Sequence, residues 1–205
     1  LIEGDEFTVV EADEFDRSFL HLSPTVACIT SIDADHLDIY GNAEEMERTF
    51  VEFSKKVKPE GKLFVKNGLP IAGITYGIED DSDFSIRNIT ITNSTYLFDL
   101  FTPTETIRGV RFNKPGKHNL LNALAALAMA TTLDTPLSRL AEALATFKGI
   151  KRRFSYQINK ENLIYIDDYA HHPTEIEAAH EAVRSAHPNK KVTVIFQPHL
   201  FSRTK

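Results

Sequence analysis

The 205-residue chain has no tryptophan and a single cysteine, Cys28. One cysteine excludes an internal disulfide and suits a reducing compartment. There is no glycine-rich phosphate loop, no Gly-x-Ser-x-Gly and no Ser/His/Asp pattern, so nucleophile-elbow hydrolase chemistry has no footing. Long apolar runs are missing too. The longest, Ala123–Ala130, is too short to span a bilayer, so no membrane insertion is expected. The first residues carry neither a basic leader nor an initiator Met. The expectation is a piece of a longer protein without a signal peptide. Bases are scarce at the start: residues 1–45 hold twelve acids against Arg17 alone. Such a head is a poor nucleic-acid surface and a plausible cation site, and it reads equally as a solvated acidic face. Residues 145–205 reverse the balance, with ten bases and six acids.

The remaining composition, 42% hydrophobic and 25% charged, is that of an ordinary globular protein. Phe7–Ala12 and Thr25–Ser31 are short β-branched runs that predict buried strands, with Cys28 a small core residue. Asn42–Lys58 predicts a helix with Met46, Phe50, Phe53 and Val57 on one face, capped by Asn42 with Glu45 as capping-box partner. Lys62–Lys66, Ile71–Tyr76, Phe84–Thr92, Tyr96–Phe101 and Thr106–Phe112 read as a run of hairpins. Helices follow at His118–Leu133 and about Pro136–Phe147, the second with Thr135 as cap. Gly149–Arg153 is the best domain boundary. Beyond it, Phe154–Ile158, Leu163–Asp167 and Val192–Phe196 read as strands around a helix at Pro173–Ala186, the opening of a βαβ unit. The expected fold is α/β: a central mononucleotide-binding sheet with an antiparallel hairpin subdomain over residues 1–152, then the truncated start of a Rossmann-like βαβ domain over 153–205.

Five constellations could carry chemistry. Glu11-Ala-Asp13-Glu14 and Asp33-Ala-Asp35-His36 each follow a strand. Ligands bind at the carboxyl ends of strands in open α/β sheets, and hard oxygen ligands favour Mg²⁺ or Mn²⁺ over Zn²⁺. Helix caps and surface charge are the competing account, and for Asp16 the cap is preferred. His118, Asn119 and Asn122 open a helix, with the two amides one turn apart. An amide can match an adenine edge, or simply cap the helix. Lys148–Arg153 offers guanidinium groups to phosphates, or a solvated turn. Asp167-Asp168-Tyr169-Ala170-His171-His172 lies where a strand meets a helix N-terminus, which favours anions. His199 and Arg203 follow the last apolar run and suit a substrate carboxylate.

Taken in order, VVEADEFDRSFLHL, SIDADHLDIYG, PGKHNLLNALAAL, GIKRRF, IDDYAHHPTEI and FQPHLFSRT resemble the Mur ligase family, on its alanine-adding branch. The resemblance covers essentially the whole chain. It implies most of a central ATPase domain and the start of an amino-acid domain. It also implies a bacterial cytoplasmic ligase that uses ATP and Mg²⁺ to join L-alanine to UDP-N-acetylmuramate through an acyl phosphate. By motif, Glu11 and His36 would hold the metal. His118, Asn119 and Asn122 would hold adenine, Asp168 ribose and Arg153 phosphate, with His171 beside the phosphates. His36 and His171 would be the catalytic groups, and His199 and Arg203 would bind the amino-acid carboxylate. Leu200 departs from an Arg common among relatives, and Phe50–Phe53 offers no lysine for a carbamate. A peptide-recycling ligase of the same family, a Mg²⁺-dependent phosphohydrolase and a non-catalytic nucleotide-binding module stay open beside it.

Overall fold

A computed structural model describes residues 6–33, 40–92 and 95–198. The chain divides into two compact units, 1–74 and 75–205.

In the first unit a 3-10 turn at Ser18–His21 precedes β1 (Val26–Ile29), α1 (Ala43–Ser54) and β2 (Lys62–Lys66). β1 and β2 pair in parallel, Val26 opposite Lys62 and Ile29 opposite Val65. α1 forms where expected. Asn42 accepts the amide of Glu45 at 2.8 Å and so satisfies one of the orphan donors of the first turn. The helix stops at Ser54 rather than Lys58: the Lys55 and Lys56 amides turn to Glu52 O and Phe53 O in tighter i→i−3 bonds. Phe19, Ala27, Ile29 and Phe53 make the buried core, with Leu20, Phe50, Val57 and Leu63 packed around it. Only alternate residues of β1 are buried, and Cys28 is half-buried rather than a core residue. A strand packed on one face buries every second side chain.

The second unit begins within β3 (Ile74–Ile78) and continues through β4 (Phe84–Thr92), β5 (Thr95–Phe101) and β6 (Thr106–Phe112). β4–β5–β6 is the expected antiparallel meander. β3 and β4 instead run parallel, Tyr76 opposite Phe84 and Ile78 opposite Ile86. Parallel neighbours ordinarily need a crossover of about a dozen residues or more. Here the tight segment 79–83 suffices. Glu79 is left-handed at φ 56°. Asp80 Oδ1 accepts the backbone and hydroxyl of Ser82, and the carboxylate lies where a Cβ on Gly77 would be. Thr75 and Asp83 bond reciprocally, N–H to Oδ2 at 2.8 Å and N–H to Oγ1 at 3.0 Å.

α2 (Lys117–Ala130) buries Leu120, Leu124, Leu127 and Ala128, and α3 (Leu137–Thr146) follows. Thr135 does not cap α3. Pro136 holds that position, and the Thr135 hydroxyl donates to Leu133 O. β7 (Ser155–Asn159) and β8 (Ile164–Asp167) form an antiparallel hairpin, followed by α4 (Pro173–Ala186).

Two expected strands do not form. Phe7–Ala12 and Val192–Phe196 carry no ladder, and Val9 and Ile195 are 76% and 94% exposed. A buried strand needs a neighbour for its hydrogen bonds and cover for its faces. Neither segment has these among the described residues.

Candidate functional site

The residues that gather into a candidate site belong to the second unit. Its first wall is the start of α2. Gly116 occupies the cap position at φ 99° and donates its amide to the Tyr96 hydroxyl at 3.1 Å. A Cβ there would stand 2.6 Å from His118 Cε1 and 2.9 Å from Ala182 Cβ. Glycine thus lets the imidazole and α4 close over the turn. His118 Nδ1 is fully enclosed and has no hydrogen-bond partner among the described residues. A proton on that nitrogen would be a buried unsatisfied donor, which favours the tautomer with its hydrogen on Nε2. Burial is the main force holding its pKa below the ordinary 6.5. The Asp168 and Glu175 carboxylates oppose that shift, and Arg153 adds to it. Asn119 turns back and donates to Pro115 O at 2.6 Å, while Asn122 is exposed one turn further on.

The second wall is the basic turn before β7. Arg152 and Phe154 are both left-handed, at φ 58° and 46°. Each costs on the order of 1 kcal/mol, so the turn must be held from outside. Asp168, just past β8, holds it: Oδ2 accepts Phe154 N–H at 2.7 Å and Oδ1 accepts Ala170 N–H at 2.8 Å. Tyr169 N–H donates to Arg152 O at 2.9 Å. The Arg152 guanidinium lies 4.8 Å from the centre of the Tyr169 ring and 3.7 Å from Asp167.

The third wall is the N-terminus of α4. His172 caps it by accepting Thr174 N–H, with Pro173 at the first helical position. His171 Nδ1 lies 2.9 Å from Tyr169 O, and a carbonyl can only accept, so that nitrogen carries the proton. Glu175 joins the parts. Its Oε2 accepts the amides of His171 and His172, at 3.0 and 3.3 Å, and sits 3.5 Å from His171 Nδ1. Its Oε1 lies 3.5 Å from Arg153. Burial pushes its pKa up, but the two amides and then His171 and Arg153 outweigh it, and the net shift is downward.

Sequence reasoning missed Glu175. The signal was present: an acid three residues after the His172 cap, at capping-box spacing, with proline between.

The acidic head is arranged otherwise. Asp13 and Asp16 each cap a tight turn, accepting Phe15 and Ser18 N–H at 2.9 Å. The Tyr40 hydroxyl donates to Glu14 O, and Arg17 lies over the Tyr40 ring and pairs with Glu45. Glu11 is exposed. Among the described residues no three His, Cys, Asp or Glu side chains gather into a metal site. His36, His199 and Arg203 lie outside the described residues. No described helix is long and apolar enough to cross a membrane.

Comparison with known proteins gives the chain a family. The Mur ligase middle domain family matches residues 2–130, and the Mur ligase glutamate ligase domain family matches 152–204. A UDP-N-acetylmuramate–L-alanine ligase of Christiangramia forsetii is 62% identical over all of this chain, which covers 45% of that protein. A namesake from Flavobacterium psychrophilum is 63% identical over 98% of the chain, again 45% of its own length. The chain therefore spans a little under half the length of these relatives. Among solved structures, the UDP-N-acetylmuramate–alanine ligase of Thermotoga maritima superposes with a TM-score of 0.79 at 29% identity. That match takes in 92% of this chain and 44% of the other.

Proposed function

This chain belongs to the Mur ligase family, and on that premise we propose that it supplies the nucleotide-binding part of an ATP-dependent, ADP-forming ligase that joins L-alanine to UDP-N-acetylmuramate. The observation that carries the reading is that Asp168 braces the basic turn bearing Arg153, that Arg153 reaches Glu175 at the N-terminus of α4, and that His118 in the first turn of α2 feels the charge of all three. Two helix N-termini, a guanidinium and a carboxylate suit an anionic nucleotide with a ribose diol.

His118, Asn119 and Asn122 take the adenine. His118 offers Nε2–H as a donor, because its Nδ1 is sealed. Asp168 takes the ribose: each oxygen spends one lone pair on a backbone amide and keeps another. Arg153 takes phosphate, and His171 stands beside it. His199 and Arg203 take the carboxylate of L-alanine. Glu11 and His36 hold Mg²⁺, which would neutralise charge on the transferring phosphoryl group. Glu11 has the hard oxygen such an ion prefers.

The chemistry follows from the poor electrophilicity of a carboxylate. Transfer of the γ-phosphoryl group to the muramoyl carboxylate gives an acyl phosphate and ADP. The amine of L-alanine attacks that carbonyl, and the tetrahedral intermediate expels phosphate to leave the amide. Gly149–Arg153 serves as the boundary between residues 1–152 and the amino-acid domain from 153 onward. Closure about it excludes water from the acyl phosphate. Substrates of this kind place the enzyme in the cytoplasm.

The test is phosphate release by the full-length protein given ATP, Mg²⁺ and UDP-N-acetylmuramate. Release that depends on L-alanine supports the ligase. Release without any amine acceptor overturns it in favour of a phosphohydrolase. Replacing His36→Ala should lower activity, with partial rescue by excess Mg²⁺. An unaltered Mg²⁺ dependence removes His36 from the metal site.

A further inference from the structure

Glu175 is more than a helix cap. A capping acid needs only the backbone amides of its own turn, and Glu175 has these from His171 and His172. Its other oxygen reaches Arg153, twenty-two residues upstream on the basic turn. The Oε2 atom that caps also lies 3.5 Å from His171 Nδ1. One carboxylate thus touches both groups assigned to the phosphates, and it is itself fixed by the helix.

The ion pair adds little stability, since the Arg153 and Glu175 side chains are 47% and 36% exposed. What it removes is freedom. An arginine at that exposure samples many rotamers, and ordering it on binding weakens affinity. We propose that Glu175 is a positioning residue that holds Arg153 ready for the nucleotide phosphates. The inference rests on the nucleotide reading above and deepens it.

The test uses the full-length enzyme and Glu175→Gln, whose amide oxygen still accepts both backbone amides but carries no charge. The expected result is a rise of about fivefold in KM for ATP, with kcat at saturating ATP changed by less than twofold. Arg153→Ala is the reference. It should raise KM for ATP about tenfold or more, and adding Glu175→Gln to it should raise KM no further. An unchanged or lower KM in Glu175→Gln overturns the positioning role, as does additivity in the double variant. A lower KM would mean that the carboxylate competes with phosphate for Arg153. If Arg153→Ala itself leaves KM unaltered, the phosphate assignment falls and Glu175 falls with it. The nucleotide reading and the Glu175 role can thus be seen to fail separately.

Discussion

Gly116 shows how a missing side chain can shape a site. Its φ of 99° and the 2.6 Å approach of His118 Cε1 leave no room for a methyl group. Gly116→Ala should destabilise the protein by about 1–3 kcal/mol, read as a lower midpoint in urea unfolding. His118 gives a pH signature. Burial holds its folded pKa below 6.5, so the unfolded chain takes up a proton first as pH falls. The neutral ring's contribution is therefore whole above about 6.5 and is lost as pH falls from there through the folded pKa. Stability should fall as pH drops below about 6.5, and His118→Gln should flatten that fall. An unchanged slope would place the sensitivity elsewhere. Glu175 acts in a lower window, because its folded pKa lies below its ordinary 4.5. At this scale the sequence was legible for residue type and less so for neighbours. His118, Arg153 and Asp168 stood out as reactive types. Their meeting depends on two left-handed residues, Arg152 and Phe154, which no local pattern announces.

Elements were legible where breakers frame them. Asn67-Gly68 and Thr102-Pro103 end strands close to where sequence alone ends them, and α4 starts at Pro173 as expected. The direction of β3 against β4 was not legible. It is set by side chains folded back within 79–83, and the pattern of apolar residues is the same for either direction. The runs at 7–12 and 192–196 have the right composition for strands and lack a ladder, because pairing is a property of two segments. The cap of α1 is testable at this scale. Asn42→Ala removes the acceptor for Glu45 N–H and should cost about 1 kcal/mol in thermal unfolding. A change near zero would mean that Arg17 and Glu45 hold the turn alone.

At the scale of the molecule, charge and packing divide the chain differently. The acidic head belongs to the unit ending at Ile74, while the candidate nucleotide residues belong to the unit from Thr75 onward. Cover is uneven as well. Val9, Val10, Val194 and Ile195 are exposed, whereas Phe98 and Leu100 in β5 are almost fully buried between two paired neighbours. Hydrogen exchange on this 205-residue chain should show the contrast. Amides at 9–10 and 194–195 should exchange within the first time points, and those of β5 should be protected by several orders of magnitude. Protection at 194–195 would reveal a partner for that segment.

The parallel pairing of β3 with β4 also bears on how the chain assembles. Every paired position is eight residues from its partner, from Tyr76 and Phe84 to Ile78 and Ile86. Loop-closure entropy grows with the logarithm of separation, so this parallel ladder closes about as cheaply as a hairpin. Parallel sheets are slow to form because their strands meet across long crossovers. Here the strands meet across a short one, so residues 74–92 can act as a local nucleus on which β5 and β6 add in turn.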